Sequence, residues 1–212
     1  MDHSKQAVSI FNKLAKEYQA RFMDTSMYHE TFDIFSNAIT SRNATVLELA
    51  CGPGNITSYL LEKRPDLIIT GTDLAPEMIK LAGNNNPSAR FQVLDCREIS
   101  KLPNKFDAVM CGFVLPYINE IETQQLFKDI YFLLNPDGVF YLSTMEGNYS
   151  ESGFRKGSTG EEIFMHYYNA KFLKETLSMI GFEISELQRI VTANADGTPT
   201  TDLIIISVKR SA

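Results

Sequence analysis

Apolar side chains recur along the chain at two spacings, one typical of helices and one typical of buried strands. Residues 4–22 and 27–39 carry apolar side chains three and four positions apart, which predicts two amphipathic helices before the first strand. The same spacing predicts further helices between short apolar runs, at 56–63, 76–82, 120–134 and 168–180.

The short apolar runs predict strands that begin near residues 45, 67, 91, 106 and 139. Two later runs, 182–191 and 202–209, flank Asn-Ala-Asp-Gly at 194–197, which favours a hairpin. This order predicts a Rossmann-like open α/β sheet of seven strands, mostly parallel, with an antiparallel C-terminal hairpin and helices on both faces. The two N-terminal helices are expected to form a partial lid.

One stretch, residues 45–57, organises the rest of the chain. A strand that contains Glu48 is followed by a turn with Gly52 and Gly54 and then by a helix, so a ligand can approach bare main chain there. Ligands of open parallel sheets bind beyond the carboxyl ends of the strands, where Asp73 and Asp95 also fall. Three carboxylates disfavour a phosphate, and the lysine of a P-loop is absent, so the site suits hydroxyls, amines and positive charge.

Composition narrows the classes of partner. A net charge of −6 and a pI of about 5.1 argue against a nucleic-acid surface. The three cysteines, Cys51, Cys96 and Cys111, lack metal-ligand spacing and are expected to be reduced core thiols, with no metal site. The N-terminus has no signal-peptide pattern and no apolar run approaches a membrane span, so we expect a cytoplasmic protein without a membrane partner.

Four segments, taken in order, carry a family resemblance. Residues 48–54, 71–78, 93–96 and 106–109 resemble the successive motifs of class I S-adenosylmethionine-dependent methyltransferases of the small-molecule type. The likeness covers residues 44–144, and residues 134–139 resemble the stretch that leads into the family's fifth strand. It implies one domain over 1–212, with a helical lid (1–43), a cofactor-binding half (44–144) and a substrate-side segment (145–212), and it implies S-adenosylmethionine as cofactor.

The resemblance implies roles for residues at the nucleoside end of that cofactor. Asp73 is expected to accept hydrogen bonds from both ribose hydroxyls, with Leu74 and Met78 packed beside the adenine. The Asp95 carboxylate is expected to meet the exocyclic amine of the adenine, and the Cys96 amide a ring nitrogen.

At the methionine end, the resemblance places Glu48 and the main-chain carbonyl of Cys111 near the ammonium group, and Phe113 as a wall beside the sulfonium. The remaining contacts there are assigned to main chain of the first turn and to the N-terminal helix: Ala50, Gly52, Tyr18 and Arg21.

The chain departs from the family pattern at three places. Ala50 replaces a common glycine, which is tolerable if that residue keeps a β conformation, and Ala75 stands where a helix-capping Ser or Asp is usual. The loop after the fourth strand, 113–117, lacks the histidine that many small-molecule enzymes carry near its end, which leaves the acceptor open.

Methyl transfer needs alignment and exclusion of water, and needs a base only when the nucleophile is protonated. No Asn/Asp-Pro-Pro-Tyr or Pro-Cys motif follows the fourth strand, and no carboxylate for a magnesium ion stands there, so a small-molecule acceptor remains. His166 is the first choice as a base, with Tyr117 as the second catalytic candidate. Aromatic and polar residues near the rim are the candidates for contacting the acceptor: Tyr28, His29, Glu146, Tyr149 and Tyr168.

Two other readings remain open at this point. A non-catalytic protein that binds S-adenosylmethionine would show the same cofactor half. A nicotinamide-dependent oxidoreductase shares the strand, the glycine turn and the distal acid, but its third glycine would fall at Thr57, and no Tyr-x-x-x-Lys resembles its catalytic pair. The sequence leaves the oligomeric state open.

Overall fold

The computed structural model describes residues 3–156, 160–193 and 199–210. These residues form seven α-helices, with shorter 3-10 turns between some of them: α1 (Ser4–Lys13), α2 (Ala15–Phe22), α3 (His29–Ala38), α4 (Asn55–Lys63), α5 (Pro76–Asn85), α6 (Glu120–Leu133) and α7 (Ala170–Ile180).

The strands of the described residues form one large sheet and one small one. The strands are β1 (Thr45–Leu49), β2 (Ile68–Asp73), β3 (Arg90–Val93), β4 (Phe106–Gly112), β5 (Leu134–Met145), β6 (Gly153–Lys156), β7 (Glu162–Met165), β8 (Phe182–Ala193) and β9 (Pro199–Lys209). Seven of them form a sheet in the order β3-β2-β1-β4-β5-β9-β8, in which β1 to β5 are parallel and β9 is antiparallel to both β5 and β8. This confirms the expected fold; the predicted turn at 194–197 lies outside the described residues.

The winding of the sheet determines where a ligand can bind. The chain runs outward from β1 through β2 to β3 and then returns to place β4 on the other side of β1. The direction of winding therefore reverses between β1 and β4, and open α/β sheets bind ligands beyond the carboxyl ends of the strands at such a point.

The central strands are buried on both faces. Along β1, Val46 packs with the helices of one face, among them Phe32 and Phe35 of α3, while Leu47 and Leu49 pack with α6 and α7 on the other. A strand covered on both sides has no polar face, which explains the nearly continuous apolar runs of β1 and β4.

The N-terminal region differs from its prediction. The single helix expected over 4–22 is interrupted at Leu14, whose ψ of 20° leaves the helical range, so α1 and α2 are separate. The second predicted helix, α3, buries Phe32 and Phe35 in the core, with exposures of 2% and 0%. Residues of α1 and α2 line the cleft described below, whereas no residue of α3 does.

The segment predicted as a loop, residues 145–159, contains ordered structure. β6 pairs antiparallel with β7, and Gly153 faces Met165 at one end of this two-stranded ribbon. The ribbon was not predicted, because each strand is only four residues long and the segment is rich in Gly, Ser, Asn and Glu. Within the described residues, no helix is both long and apolar enough to cross a membrane.

Candidate functional site

A cleft opens at the carboxyl ends of β1, β2 and β4 and is covered by α1. The space between its walls, including the open mouth, is about 850 Å³. This size suits a ligand as large as a nucleoside with a side chain. The first glycine turn and the loop after β4 both line the cleft.

The turn after β1 requires glycine at two positions. Gly52 and Gly54 have φ angles of +54° and +80°, in the left-handed region that residues with a Cβ rarely adopt. A Cβ on Gly54 would lie 2.4 Å from the Asn86 side-chain nitrogen, which donates a hydrogen bond of 2.9 Å to the Gly54 carbonyl. The tight approach of α5 to this turn therefore excludes a side chain at Gly54.

The backbone conformation of Ala50 differs from the one expected. Ala50 lines the cleft with φ +49°, whereas a β conformation was expected for an alanine at this position. A non-glycine residue in the left-handed region costs about 1–2 kcal/mol. The chain carries this strain at the wall of the cleft.

Asp73, at the end of β2, is the acid that faces the cleft most directly. Its two carboxylate oxygens accept hydrogen bonds from the main-chain N–H groups of Gly52 (3.0 Å) and Ala75 (2.8 Å). Each oxygen retains a further lone pair, so the group can still accept a pair of hydroxyls. Burial raises the pKa of Asp73, and hydrogen bonds from the main-chain amides of Ala75, Gly52 and Leu74 oppose that effect. As expected, Ala75 supplies no side-chain cap to α5, and Asp73 satisfies its N–H instead.

Glu48, the acid of β1, lies in the core and is not part of the cleft wall. Its exposed fraction is 1%, and one carboxyl oxygen accepts a hydrogen bond from the Thr57 hydroxyl. The other oxygen, Oε1, has no hydrogen-bond partner among the described residues. Burial raises the pKa of Glu48 to about 8, with the nearby charge of Asp73 contributing in the same direction.

Asp95 is held by an arginine that the sequence analysis did not select. Arg97 donates to the Asp95 carboxylate at 2.6 Å, to Glu122 at 2.9 Å and to the Ser4 hydroxyl at 3.1 Å. Asp95, Arg97 and Ser4 all line the cleft. This network ties the start of α1 to the end of the third strand. Next to Asp95, burial raises the pKa of the Cys96 thiol to about 12.

Aromatic rings also line the cleft. Phe11 of α1 makes edge contacts with Tyr18 (5.7 Å between ring centroids) and with Tyr117 (5.3 Å), and Phe113 stands nearby with φ +54°. Burial, with Asp73 adding to it, raises the pKa of Tyr18 to about 12, and burial also raises the pKa of Tyr117 above its ordinary value. Both phenols therefore stay protonated near neutral pH and act as hydrogen-bond donors.

The structure brings most of the predicted cofactor residues together. Those that line the cleft are Tyr18, Ala50, Gly52, Asp73, Leu74, Met78, Asp95, Cys96 and Phe113, and Tyr117 joins them. Three others do not line it. Arg21 is exposed, with its guanidinium 5.3 Å from the Phe22 ring, whereas Glu48 and Cys111 are buried.

His166, the first choice as a base, lies outside the cleft. Its main-chain N–H donates to the Pro116 carbonyl at 2.8 Å, and its ring stacks against Tyr149 at 5.6 Å between centroids. Burial lowers the pKa of His166, and Nδ1 is buried without a hydrogen-bond partner among the described residues. The ring packs behind the loop that carries Tyr117 and does not face the cofactor side.

The candidate acceptor residues do not converge on the cleft either. Tyr168 is a core residue, 1% exposed, whose hydroxyl donates to the Ile118 carbonyl at 2.6 Å. Glu146 forms an ion pair with Arg189 at 2.6 Å, and Tyr149 is 38% exposed beside His166. These groups are occupied by structural contacts.

Two further candidates, Tyr28 and His29, also lie outside the cleft lining. Tyr28 donates to the buried Asp202 at 2.7 Å and contacts the Phe113 ring at 5.6 Å, so it supports the cleft wall from behind. The His29 ring stacks on Tyr59 at 3.9 Å. Neither residue lines the cleft.

Several lining residues were missed as site residues. From α1 these are Ser4, Ala7, Val8 and Phe11, and from the rest of the chain they include Arg97 and Ile118. Val8 and Phe11 were visible as part of a helical apolar stripe. Nothing local in the sequence shows that this stripe faces a ligand cleft, because that depends on how α1 packs against the sheet.

Comparison with known proteins bears on this geometry. Residues 46–138 match the model of a family described as "Methyltransferase domain". The chain is 24% identical over 216 aligned positions to a malonyl-[acyl-carrier protein] O-methyltransferase of Priestia megaterium, covering 94% of this chain and 78% of that protein. It spans about half the length of several other curated relatives.

Solved structures share the whole fold. The complex of DhpI with S-adenosylhomocysteine is similar with a TM-score of 0.75 and 20% identity, over 100% of this chain and 98% of the other. A 1,6-didemethyltoxoflavin-N1-methyltransferase of Burkholderia thailandensis, solved with its acceptor and S-adenosylhomocysteine, has a TM-score of 0.72 and 22% identity, over 100% and 91%.

The cleft and these similarities define the class. Residues 46–138 match a methyltransferase domain, and the whole chain is similar in fold to class I S-adenosylmethionine-dependent methyltransferases. Its cofactor is S-adenosylmethionine. The residues present fit that molecule, because Asp73 keeps free lone pairs, the Tyr18 hydroxyl has no hydrogen-bond partner among the described residues, and the glycine turn offers bare main chain.

Proposed function

We propose that this protein transfers the methyl group of S-adenosylmethionine to a small-molecule acceptor. The observation that carries the proposal is Asp73, which faces the cleft with unfilled lone pairs at the switch point of the sheet, beside the glycine turn. The cofactor supplies an activated methyl group on a sulfonium. The protein supplies alignment of the nucleophile with that methyl and exclusion of water.

The cofactor's nucleoside is held, in this proposal, by side chains from β2, α5 and the end of β3. Asp73 accepts from the ribose hydroxyls, Leu74 and Met78 pack against the adenine, and the Asp95 and Cys96 positions contact its polar edge. All five line the cleft.

The methionine part lies over the glycine turn. Tyr18 donates its hydroxyl there, since its pKa of about 12 keeps the phenol protonated. Gly52 offers close approach to main chain. The roles of Glu48 and of the Cys111 carbonyl in meeting the ammonium group remain predictions, as does that of Arg21.

Water exclusion is assigned to α1 and α2, which form the lid of a single domain. Ser4, Ala7, Val8 and Phe11 of α1 line the cleft from above. On its outer side α1 is held by the β6–β7 ribbon, through a stack of His3 on Phe164 at 4.5 Å between centroids. Closure by this helix places apolar side chains over the reacting groups.

The size of the cleft and its apolar roof support a small acceptor. The similar proteins named above include one that acts on a malonyl group carried by acyl carrier protein and one that acts on 1,6-didemethyltoxoflavin. The proposal includes a cytoplasmic location, which the free thiols of Cys51, Cys96 and Cys111 support, because unpaired cysteines persist in reducing compartments. It includes no nucleic-acid or membrane partner.

Turnover tests the proposal. Purified protein is incubated with S-adenosylmethionine and a deproteinised small-molecule extract of the cells that make it, and the formation of S-adenosylhomocysteine is measured. We expect formation that depends on both protein and extract and that falls at least about tenfold in Asp73→Asn, from the loss of a charged hydrogen-bond acceptor. Binding of the cofactor without any turnover would support a non-catalytic binding protein instead.

A further inference from the structure

The first helix rests on residues that are proposed to hold the adenosine. Val8 and Phe11 of α1 pack in one small cluster with Met78 of α5. Asn12 of α1 accepts a hydrogen bond of 3.0 Å from the main-chain N–H of Glu77. Because α5 has no side-chain cap of its own, α1 supplies an acceptor for one amide of its first turn. The positions of α1 and α5 therefore depend on each other.

A second link joins α1 to Asp95 through the guanidinium of Arg97. That group donates to the Asp95 carboxylate from Nε at 3.0 Å and from Nη2 at 2.6 Å, a two-point contact that fixes the plane of the carboxylate. Nη2 also donates to the Ser4 hydroxyl at 3.1 Å, and Nη1 donates to Glu122 at 2.9 Å. One side chain therefore holds an acid of the cleft, the first residue of α1 and the first turn of α6.

The contacts of Arg97 are partly shielded from water. The Arg97 side chain is 24% exposed and that of Asp95 is 19% exposed, so salt and water screen their attraction less than that of a surface pair. The ion pair between Lys13, at the end of α1, and Glu161 joins side chains that are 69% and 39% exposed. Exposed pairs contribute little to stability, so the Arg97 network is the stronger of these two charged contacts of α1.

A ligand in the cleft contacts both parts of this network. Residues of α1 line the cleft together with Asp95, so a bound ligand buries part of its surface against each. An interaction that holds α1 in place then also holds the ligand, and the ligand in turn holds α1, because a coupling free energy between two sites is reciprocal. Asp95 connects the two, since it is bound by the side chain that also binds Ser4.

We propose that Arg97 is a positioning residue of this cleft. It orients the Asp95 carboxylate toward the cofactor and holds the start of α1 through Ser4. Cofactor binding and the placement of α1 over the cleft therefore stabilise each other. The inference rests on the proposed function, which places Asp95 at the adenine.

Calorimetric titration with S-adenosylhomocysteine tests these links one at a time. Ser4→Ala removes the link to α1 and keeps the pair of Asp95 and Arg97, so we expect affinity to fall about three- to tenfold, the loss of one hydrogen bond. Arg97→Lys keeps the charge but loses the planar fork, and is expected to weaken binding at least about tenfold. Lys13→Gln is the matched control on α1, because it removes an exposed ion pair and should bind like wild type.

The double variant shows whether Ser4 acts through Arg97. If it does, Ser4→Ala adds no cost once the fork is lost, and the double variant binds within about twofold of Arg97→Lys alone. A Ser4 hydroxyl that contacted the cofactor directly would instead give costs that add. Additive costs, or single variants that bind like wild type, overturn the proposal and leave the cofactor assignment standing.

Hydrogen exchange supplies a readout that a merely structural role would not move. Saturating S-adenosylhomocysteine is expected to slow the exchange of the amides in residues 4–13 of the wild-type protein by about 5- to 100-fold, the usual size of a coupling between sites. Arg97→Lys, also measured at saturation, should lose most of that slowing.

The outcomes of the exchange experiment separate this inference from the proposed function. Equal slowing in the wild type and in Arg97→Lys, or no slowing in a wild-type protein that binds the ligand, contradicts the coupling alone. A wild-type protein that binds no S-adenosylhomocysteine removes the proposed function and this inference with it.

Discussion

Glu48 shows how a single residue can be located from the sequence while its state cannot. Its place at the end of a buried strand follows from the pattern of apolar residues and the turn after it. Its burial with one partnered oxygen depends on how α4 brings Thr57 over β1. The resulting rise of its pKa from the ordinary 4.5 to about 8 has a consequence for stability.

The stability of the protein is expected to fall as pH rises from about 4.5 to about 8 on account of Glu48. In that range the folded state keeps a proton on Glu48 that the unfolded chain has released. The free energy of unfolding therefore falls by at most about 1.4 kcal/mol per pH unit, and the fall ends once Glu48 is ionised in both states. Urea unfolding of wild type and Glu48→Gln at pH 6 and pH 8 measures it, and the variant should lose less stability. Glu183→Gln, at an exposed carboxylate paired with Arg210, is the control. Equal losses in wild type and Glu48→Gln would contradict the shifted pKa.

Among the other residues that line the cleft, some could be predicted from the sequence and others could not. Asp73, Asp95 and Gly52 were predicted because they follow directly on strands, and the carboxyl ends of parallel strands meet at one edge. The left-handed conformation of Ala50 was not, because alanine is uncommon there and only the packed turn imposes it. Arg97 escaped notice because its partner Glu122 is 25 residues away in α6.

At the scale of elements, the approach of α5 to the first turn fixes the geometry of the cofactor side. Gly54→Ala is expected to destabilise the protein by about 2–4 kcal/mol, because it adds left-handed strain to a clash with Asn86 and with the Ala82 backbone. Gly83→Ala is the matched control within α5. A Cβ there meets nothing within 4 Å, and replacing a helical glycine should stabilise by about 0.5–1 kcal/mol. Chemical denaturation of both variants decides the point, and a Gly54→Ala protein as stable as wild type would exclude the tight contact.

The elements were predictable where their patterns are long and local. The strands of the large sheet and the helices α4, α6 and α7 follow from apolar spacing and from turn residues. The β6–β7 ribbon was not predicted, because strands of four residues with polar neighbours carry little periodic signal. The break at Leu14, too, lies within an uninterrupted helical pattern.

For the whole molecule, the side of the cleft that is built from strand ends was predictable, and the side that α1 covers was not. The cofactor residues lie within one continuous stretch of strand ends and turns. The covered side depends on α1 folding over the loop after β4, which joins parts of the chain about 100 positions apart in sequence. Hence His166, Glu146 and Tyr168 were selected from composition, whereas Phe11 and Ile118 line the space.

Because the cleft joins distant parts of the chain, a ligand bound in it should stabilise the whole fold. S-adenosylhomocysteine at about 100 times its dissociation constant is expected to add about 2.7 kcal/mol, which is a rise in Tm of about 5–10 °C for a chain of this size. A thermal melt with and without ligand measures this shift. NAD at the same concentration should leave Tm unchanged, and a rise with NAD alone would favour a dinucleotide site.

Calorimetric titration with S-adenosylhomocysteine tests most directly that Asp73 and its neighbours bind an adenosyl cofactor. The wild-type protein is expected to bind one equivalent, Asp73→Asn to bind more weakly by about 1–3 kcal/mol, and Asp33→Asn, at a carboxylate that accepts from Tyr59 outside the cleft, to bind like wild type. An affinity unchanged by Asp73→Asn, or no binding by the wild-type protein, would contradict it.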